Sequence, residues 1–222
     1  PIVVGAGELT VKDEPLDALS SPLDLMQKTA LLAATDAGAD SSILAALDQI
    51  AVVKSFREPT RNSAESLARR LGANDAKAWL VPDGGQGPQA LVNHFAQTIA
   101  DGAAKWVLLA GAEAIDSARR LLKSGSKPQW SEPAERDAEF VFADKPMGSQ
   151  HEEDHGIWRA NHVYPLFENA LRGHYGMTLD AYQQAMGELF ARFTQVAARH
   201  PGAWFPVERS AREIAQPGDR NR

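Results

Sequence analysis

The chain has 222 residues, 44% apolar and 23% charged, which is the balance of a folded protein able to bury a core in one domain or two small ones. Its net charge of −6 supplies no electrostatic footprint for nucleic acid or an anionic membrane, and no apolar run approaches the ~20 residues that span a bilayer. Cysteine is absent, which excludes disulfides, thiolate metal sites and a cysteine nucleophile within these residues. The opening Pro1-Ile2-Val3-Val4 lacks the length and flanks of a secretion signal, so the expected compartment is the cytoplasm, or an organelle after processing.

Taken in order, residues 1–114 alternate between strand and helix patterns. Pro1 to Val4 is a short apolar strand run that ends at Gly5-Ala6-Gly7. Ser21-Pro22-x-Asp24 is a helix start, with serine at the cap, proline at the first helical position and an acid in the first turn. Leu23, Met26, Ala30, Ala33 and Ala37 follow at helical spacing, and Gly38 ends the run. Leu47 to Val53 is rich in β-branched residues and predicts a strand. Asn62 and Glu65 cap a helix carrying Leu67, Ala68 and Leu71, which stops at Gly72. Ala78 to Val81 is a third strand, and Leu91, Val92, Phe95 and Ile99 mark a helix that ends at Gly102. Lys105 to Gly111 is a fourth strand, apolar enough for cover on both faces. This βαβαβαβ order predicts a parallel sheet with helices on both faces, in which Trp79–Pro82 and Trp106–Ala110 are adjacent central strands.

Beyond Ala114 the pattern changes. Residues 124–160 are polar, rich in Pro and Gly, and without clear period. Helices return from Tyr164 to His200, with a start at Thr178-Leu179-Asp180 and an apolar face on Leu179, Tyr182, Met186, Leu189, Phe190, Phe193 and Val196. The last stretch is irregular apart from a turn around Ala211 to Ile214. The expected division is an α/β domain over 1–118 and a mostly helical, irregular excursion over 119–222.

Three motifs bear on chemistry. Gly5-Ala6-Gly7-Glu8-Leu9-Thr10 approaches a dinucleotide fingerprint, but the sixth position is Thr10 and the helix waits until Pro22, so it reads as a turn leaving a strand. His151-Glu152-Glu153-Asp154-His155 matches H-E-x-x-H. A zinc protease needs both histidines one turn apart on a stable helix, and this copy has three consecutive acids and no anchoring apolar face, so it reads as an acidic surface loop with no metal. A metal-dependent hydrolase built on His151 and His155 is the weakest reading. Asp83-Gly84-Gly85-Gln86-Gly87-Pro88-Gln89 is the most informative segment. It joins a strand to a helix, and its glycines leave amides free at a helix N-terminus, where a thiolate, an oxyanion or a carbonyl oxygen is favoured. A tight βα turn without a ligand remains the alternative on these residues alone.

Gly84-Gly85-Gln86-Gly87-Pro88-Gln89-Ala90-Leu91-Val92, then Ile99-Ala100-Asp101-Gly102, then Trp106 to Ala114, resemble the nucleophile–helix–strand unit of the thiolase superfamily. Val3 to Glu8 resembles its first strand. Tyr164 to Glu168, Ala203 to Pro206 and Asp219 to Arg222 resemble the loop domain of sterol-carrier-type thiolases and thiolase-like acetyl-CoA acetyltransferases. The resemblance implies a mixed sheet with helices on both faces, a loop domain, acyl-CoA as substrate or ligand with no other cofactor, and a homodimer. Counted back from Gly102, the family's cysteine position falls at Gly85, so the acyl acceptor is absent. The resemblance also implies that these residues stop before the fifth strand, so that a C-terminal domain or a second chain completes the fold. Gly84, Gly85, Gln86 and Gly87 are the substrate-binding candidates. The expected function is acyltransferase-class chemistry without a cysteine nucleophile, and the alternative is a non-catalytic binding or scaffold subunit.

Overall fold

A computed structural model describes residues 1–218 apart from Asp83, Lys145 and Met147. Asp83 and the Asp219–Arg222 segment of the family resemblance therefore lie outside the described residues. Chain contacts divide the protein into two compact units, Pro1–Lys145 and Pro146–Arg222.

The first unit is a four-stranded, wholly parallel sheet. Its strands are β1 (Gln49–Val53), β2 (Lys77–Val81), β3 (Val107–Ala110) and β4 (Glu139–Phe140), in the order β3-β1-β2-β4. On one face lie α1 (Pro22–Asp36) and α2 (Ser63–Leu71); on the other lies α3 (Gly87–Ala100). Strand alternation decides the split. Ile50, Val52 and Leu80 join Leu23, Met26 and Leu67, while Ala51 and Val81 join Leu91 and Phe95. Both predicted caps form: Ser21 and Asp24 make a reciprocal capping box on α1, and the Asn62 side chain accepts the Glu65 amide on α2. The α2 helix ends at Gly72 in the left-handed region, at φ 77°.

Four expectations need correction. The sheet is parallel throughout the described residues rather than mixed. β2 and β3 are not neighbours, because β1 lies between them. Ile50, Ala51 and Val52 of β1 are fully buried, whereas β3, although wholly apolar, is only half-buried and Trp106 just before it stays 40% exposed, so β1 is the strand covered on both faces. β3 is half-buried along its length, for its outer edge faces a cavity instead of a strand. The boundary expected at 118 falls inside α4 (Ile115–Lys123), and the first unit continues through β4.

Residues 1–4 are the fourth correction. They form no strand among the described residues. Instead the N-terminal segment lies on α1. A Cβ at Gly5 would sit 2.2 Å from the Ala33 carbonyl oxygen and one at Gly7 2.2 Å from that of Thr29, so only glycine permits this approach. The Ala6 amide donates to Asp36 at 2.9 Å. Between this segment and the open edge of β3 is a largely apolar cavity of about 630 Å³, also walled by α1 and α3. Ile2 and Val3 are more than 80% exposed beside it. A β-strand needs a hydrogen-bonded neighbour, and residues 1–4 pair with no strand among the described residues.

The second unit holds α5 (Gln150–Asp154), α6 (Ala160–His174), α7 (Leu179–Arg199) and α8 (Ala211–Ala215). Thr178 caps α7, as its sequence predicts. α8 packs on α7 at Gly187, where a Cβ would lie 2.4 Å from the Ala211 carbonyl oxygen. The Tyr182 hydroxyl donates to Glu168 of α6 at 2.5 Å. Leu166, Phe167, Leu189, Phe193 and Val196 nevertheless stay more than half exposed. No helix of the described residues is long and apolar enough to cross a membrane.

Candidate functional site

The carboxyl ends of β1, β2 and β3 converge on one end of the sheet. In open α/β sheets such a crevice takes ligands where neighbouring crossovers leave on opposite faces. β1 leads to α2 on one face and β2 leads to α3 on the other, so this point lies between β1 and β2.

The segment following β2 contains the four candidates, and the structure places them in one turn. The Gly87 amide donates to the Gly84 carbonyl at 3.0 Å, closing the turn, and α3 begins at once with Pro88 in its first turn. Gly87 is buried, with its Cβ position 3.4 Å from Val81. The Gln86 side chain folds back over Gly84. Gly85 is exposed, its φ is not positive, and nothing lies within 4 Å of a Cβ built there, so a side chain fits without strain. The amides of Gly85, Gln86 and Gln89 have no hydrogen-bond partner among the described residues. They stand at the positive end of a 14-residue helix.

Two carboxylates stand at the same end of the sheet: Glu113, which belongs to the Trp106–Ala114 match, and Glu58, which the sequence did not single out. Glu113, just past β3, accepts the Phe56 amide at 2.5 Å and ties the β3 tip to the β1 tip. Glu58 follows β1 and lines a cavity of about 420 Å³ with Lys54, Ser55, Thr60, Arg61 and Ser63. Burial pushes its carboxyl up, and the neighbouring Glu132 adds to this; the Thr60 hydroxyl and amide and the Leu23 amide pull the other way. Only a polar cluster just past a strand end could have pointed to Glu58, and such clusters are common in loops.

His151 and His155 lie on a single helical turn, not in the loop expected, because Ser149 and Glu152 make a capping box. Their ring centroids are 4.4 Å apart, and the His155 Nδ1 contacts the His151 carbonyl at 2.8 Å. No group of three ligating side chains gathers among the described residues. In a chelator-free preparation, elemental analysis is expected to show no stoichiometric zinc; zinc that is lost in His151→Ala would overturn that.

The chain has a thiolase-like fold, as its likeness to a solved structure shows. The crystal structure of a monomeric SCP2-thiolase-like protein type 1 from Mycobacterium smegmatis is similar to it, with 30% identity and a TM-score of 0.72 over 99% of this chain and 40% of that one. The chain therefore spans about two fifths of that protein's length. A 3-oxoacyl-[acyl-carrier-protein] synthase III from Aquifex aeolicus VF5 shows 22% identity over 45% of this chain and 32% of that one, with a TM-score of 0.39, which carries no argument. No protein-family model and no curated protein matches the chain.

Proposed function

We propose that the chain is part of a thiolase-like acyl-CoA protein of the acyltransferase class that works without a covalent acyl-enzyme. One observation carries this reading. The turn at the N-terminus of α3 presents unpartnered amides beside Gly85, with room for a side chain and none there. Such amides polarise a thioester carbonyl and stabilise the oxyanion it becomes, and that can support decarboxylating or retro-aldol cleavage with a base alone. A cysteine would be needed to divide acyl transfer into two steps. The cavity beside β3 supports the remainder of the reading. It lies along the outer edge of β3, and a fifth strand from a further domain or a second chain would pair that edge.

Incubation with acetyl-CoA tests the proposal. Equilibrium binding with no mass adduct is expected; no binding at all would sink it, and a stable acetyl adduct would refute the non-covalent part. The alternative, a non-catalytic binding or scaffold subunit, is favoured by the absence of cysteine, and binding without turnover in the completed protein would select it. A homodimer belongs to the reading through the family resemblance, although the similar M. smegmatis protein is described as monomeric. Sedimentation at high concentration decides that point.

A further inference from the structure

The C-terminal end of α7 carries a cationic patch that nothing in the first unit's site uses. Arg192 and Arg199 are seven residues apart, about 10.5 Å along the helix, and therefore share a face. With Gln195, Val196 and His200 they line a shallow cavity of about 500 Å³. Neither arginine's side chain makes an ion pair or a hydrogen bond among the described residues. Three other arginines of this unit are engaged. Arg159 lies over the Trp158 ring, Arg172 donates to Asn169 and the Met177 carbonyl, and Arg212 donates to Gln216. Glu188, one turn before Arg192, already accepts from Gln184 at 2.9 Å. The Gly202 amide donates to His200 Nδ1 at 3.1 Å, so the neutral ring carries its proton on Nε2 as a further donor.

A simpler role for these charges is to complement the negative end of the helix dipole. That accounts for Arg199 and His200 in the last turn. It does not account for Arg192, two turns earlier, since the dipole's influence fades within one turn. In a chain of net charge −6, two unpaired guanidiniums converging on one hollow call for an anion. The planar guanidinium fork matches phosphate oxygens in pairs, and a 66%-exposed Val196 between the arginines offers an apolar floor to the organic part of a ligand.

We propose that the Arg192–Arg199–His200 hollow binds the phosphate groups of a phosphorylated small molecule. Its assignment to the phosphates of coenzyme A rests on the acyl-CoA reading above. Calorimetric titration at low salt with coenzyme A, with inorganic pyrophosphate and with pantetheine, which lacks phosphate, separates the two ideas. The double variant Arg192→Gln/Arg199→Gln is expected to bind coenzyme A and pyrophosphate about tenfold or more weakly, with pantetheine unchanged. Arg159→Gln, which removes one charge elsewhere in the unit, should bind as the wild type does. The double variant Arg192→Lys/Arg199→Lys guards against misfolding, for it keeps the charge and loses only the paired geometry; it should bind with intermediate strength. Coenzyme A bound equally by wild type and the glutamine double variant would overturn the phosphate site and leave the acyl-CoA reading intact. Pyrophosphate binding that depends on the arginines, without binding of coenzyme A, would uphold the site and defeat the acyl-CoA reading. A wild type that binds neither overturns both.

Discussion

Gly85→Cys is expected to create a thiol that ionises below the ordinary value of about 8.5. The space for it exists, since no atom lies within 4 Å of the new Cβ and the backbone needs no left-handed conformation. Electrostatics favour the thiolate, because the residue sits two positions before α3 among amides that have no other partner. The shift will be moderate. Pro88 contributes no N–H, and the Gly87 amide is already used by Gly84, so only part of the usual helix-end donor set remains. A fall of about one unit would raise the thiolate fraction at pH 7 about eightfold, from roughly 3% to 24%. The more acidic thiolate is also less nucleophilic, by a factor of about three, so the net gain in alkylation rate is only about threefold. The midpoint of the rate against pH is therefore the measurement that decides. With a cysteine on an exposed loop as the control, a midpoint indistinguishable from the control would make Gly85 an ordinary turn residue and remove the basis for the site.

The parts of the fold that could be read from the sequence were those whose signal is local. Ser21-Pro22-x-Asp24 and Asn62 with Glu65 announce helix starts by side chains that bond amides three residues away. Gly84 to Pro88 announces a βα turn, and the turn forms there. Strand order was not legible, because an apolar run records burial and not which neighbour provides it. Trp79 lies on β2, which is interior as expected, with its ring nitrogen donating to Gln49 at the start of β1, whereas the strand after Trp106 has β1 as its one neighbour among the described strands. Pro1 to Val4 has strand composition and forms no strand, because composition records apolarity and not the hydrogen-bonded neighbour that a strand needs. Glu58 escaped notice, and Glu113 was marked only within the family resemblance, for a similar reason. A carboxylate becomes a site residue through what the fold sets beside it, and Phe56 and Glu113 are 57 positions apart.

The polar stretch after α4 shows how a segment without periodicity still belongs to a folded unit, and Glu65 is the residue that holds it. It lies on α2 with 7% of its side chain exposed, and it accepts the Glu135 amide at 3.1 Å, the Arg136 amide at 3.3 Å and the Arg136 Nε at 2.8 Å. Thr60 and Asn62, just before the same helix, bond the Glu132 amide and the Arg136 carbonyl. These contacts carry the chain to β4 and complete the sheet. Burial alone would raise the Glu65 carboxyl; the Arg136 side chain, the two amides and the Arg136 charge outweigh it and hold it below its usual value near 4.5. A carboxyl whose folded value is depressed stabilises the fold fully above that usual value and loses the contribution as pH falls through the folded one. Glu65→Ala should therefore destabilise the first unit by about 2–3 kcal/mol at pH 7, the range for hydrogen bonds to a charged group that leave partners unsatisfied. The deficit relative to the wild type should shrink below pH 4.5, where the wild-type carboxylate is itself being protonated. Denaturant unfolding at several pH values measures both effects, and limited proteolysis should find residues 131–138 more readily cleaved in the variant. A deficit that stays constant as the pH falls would mean that Glu65 acts through packing instead of charge.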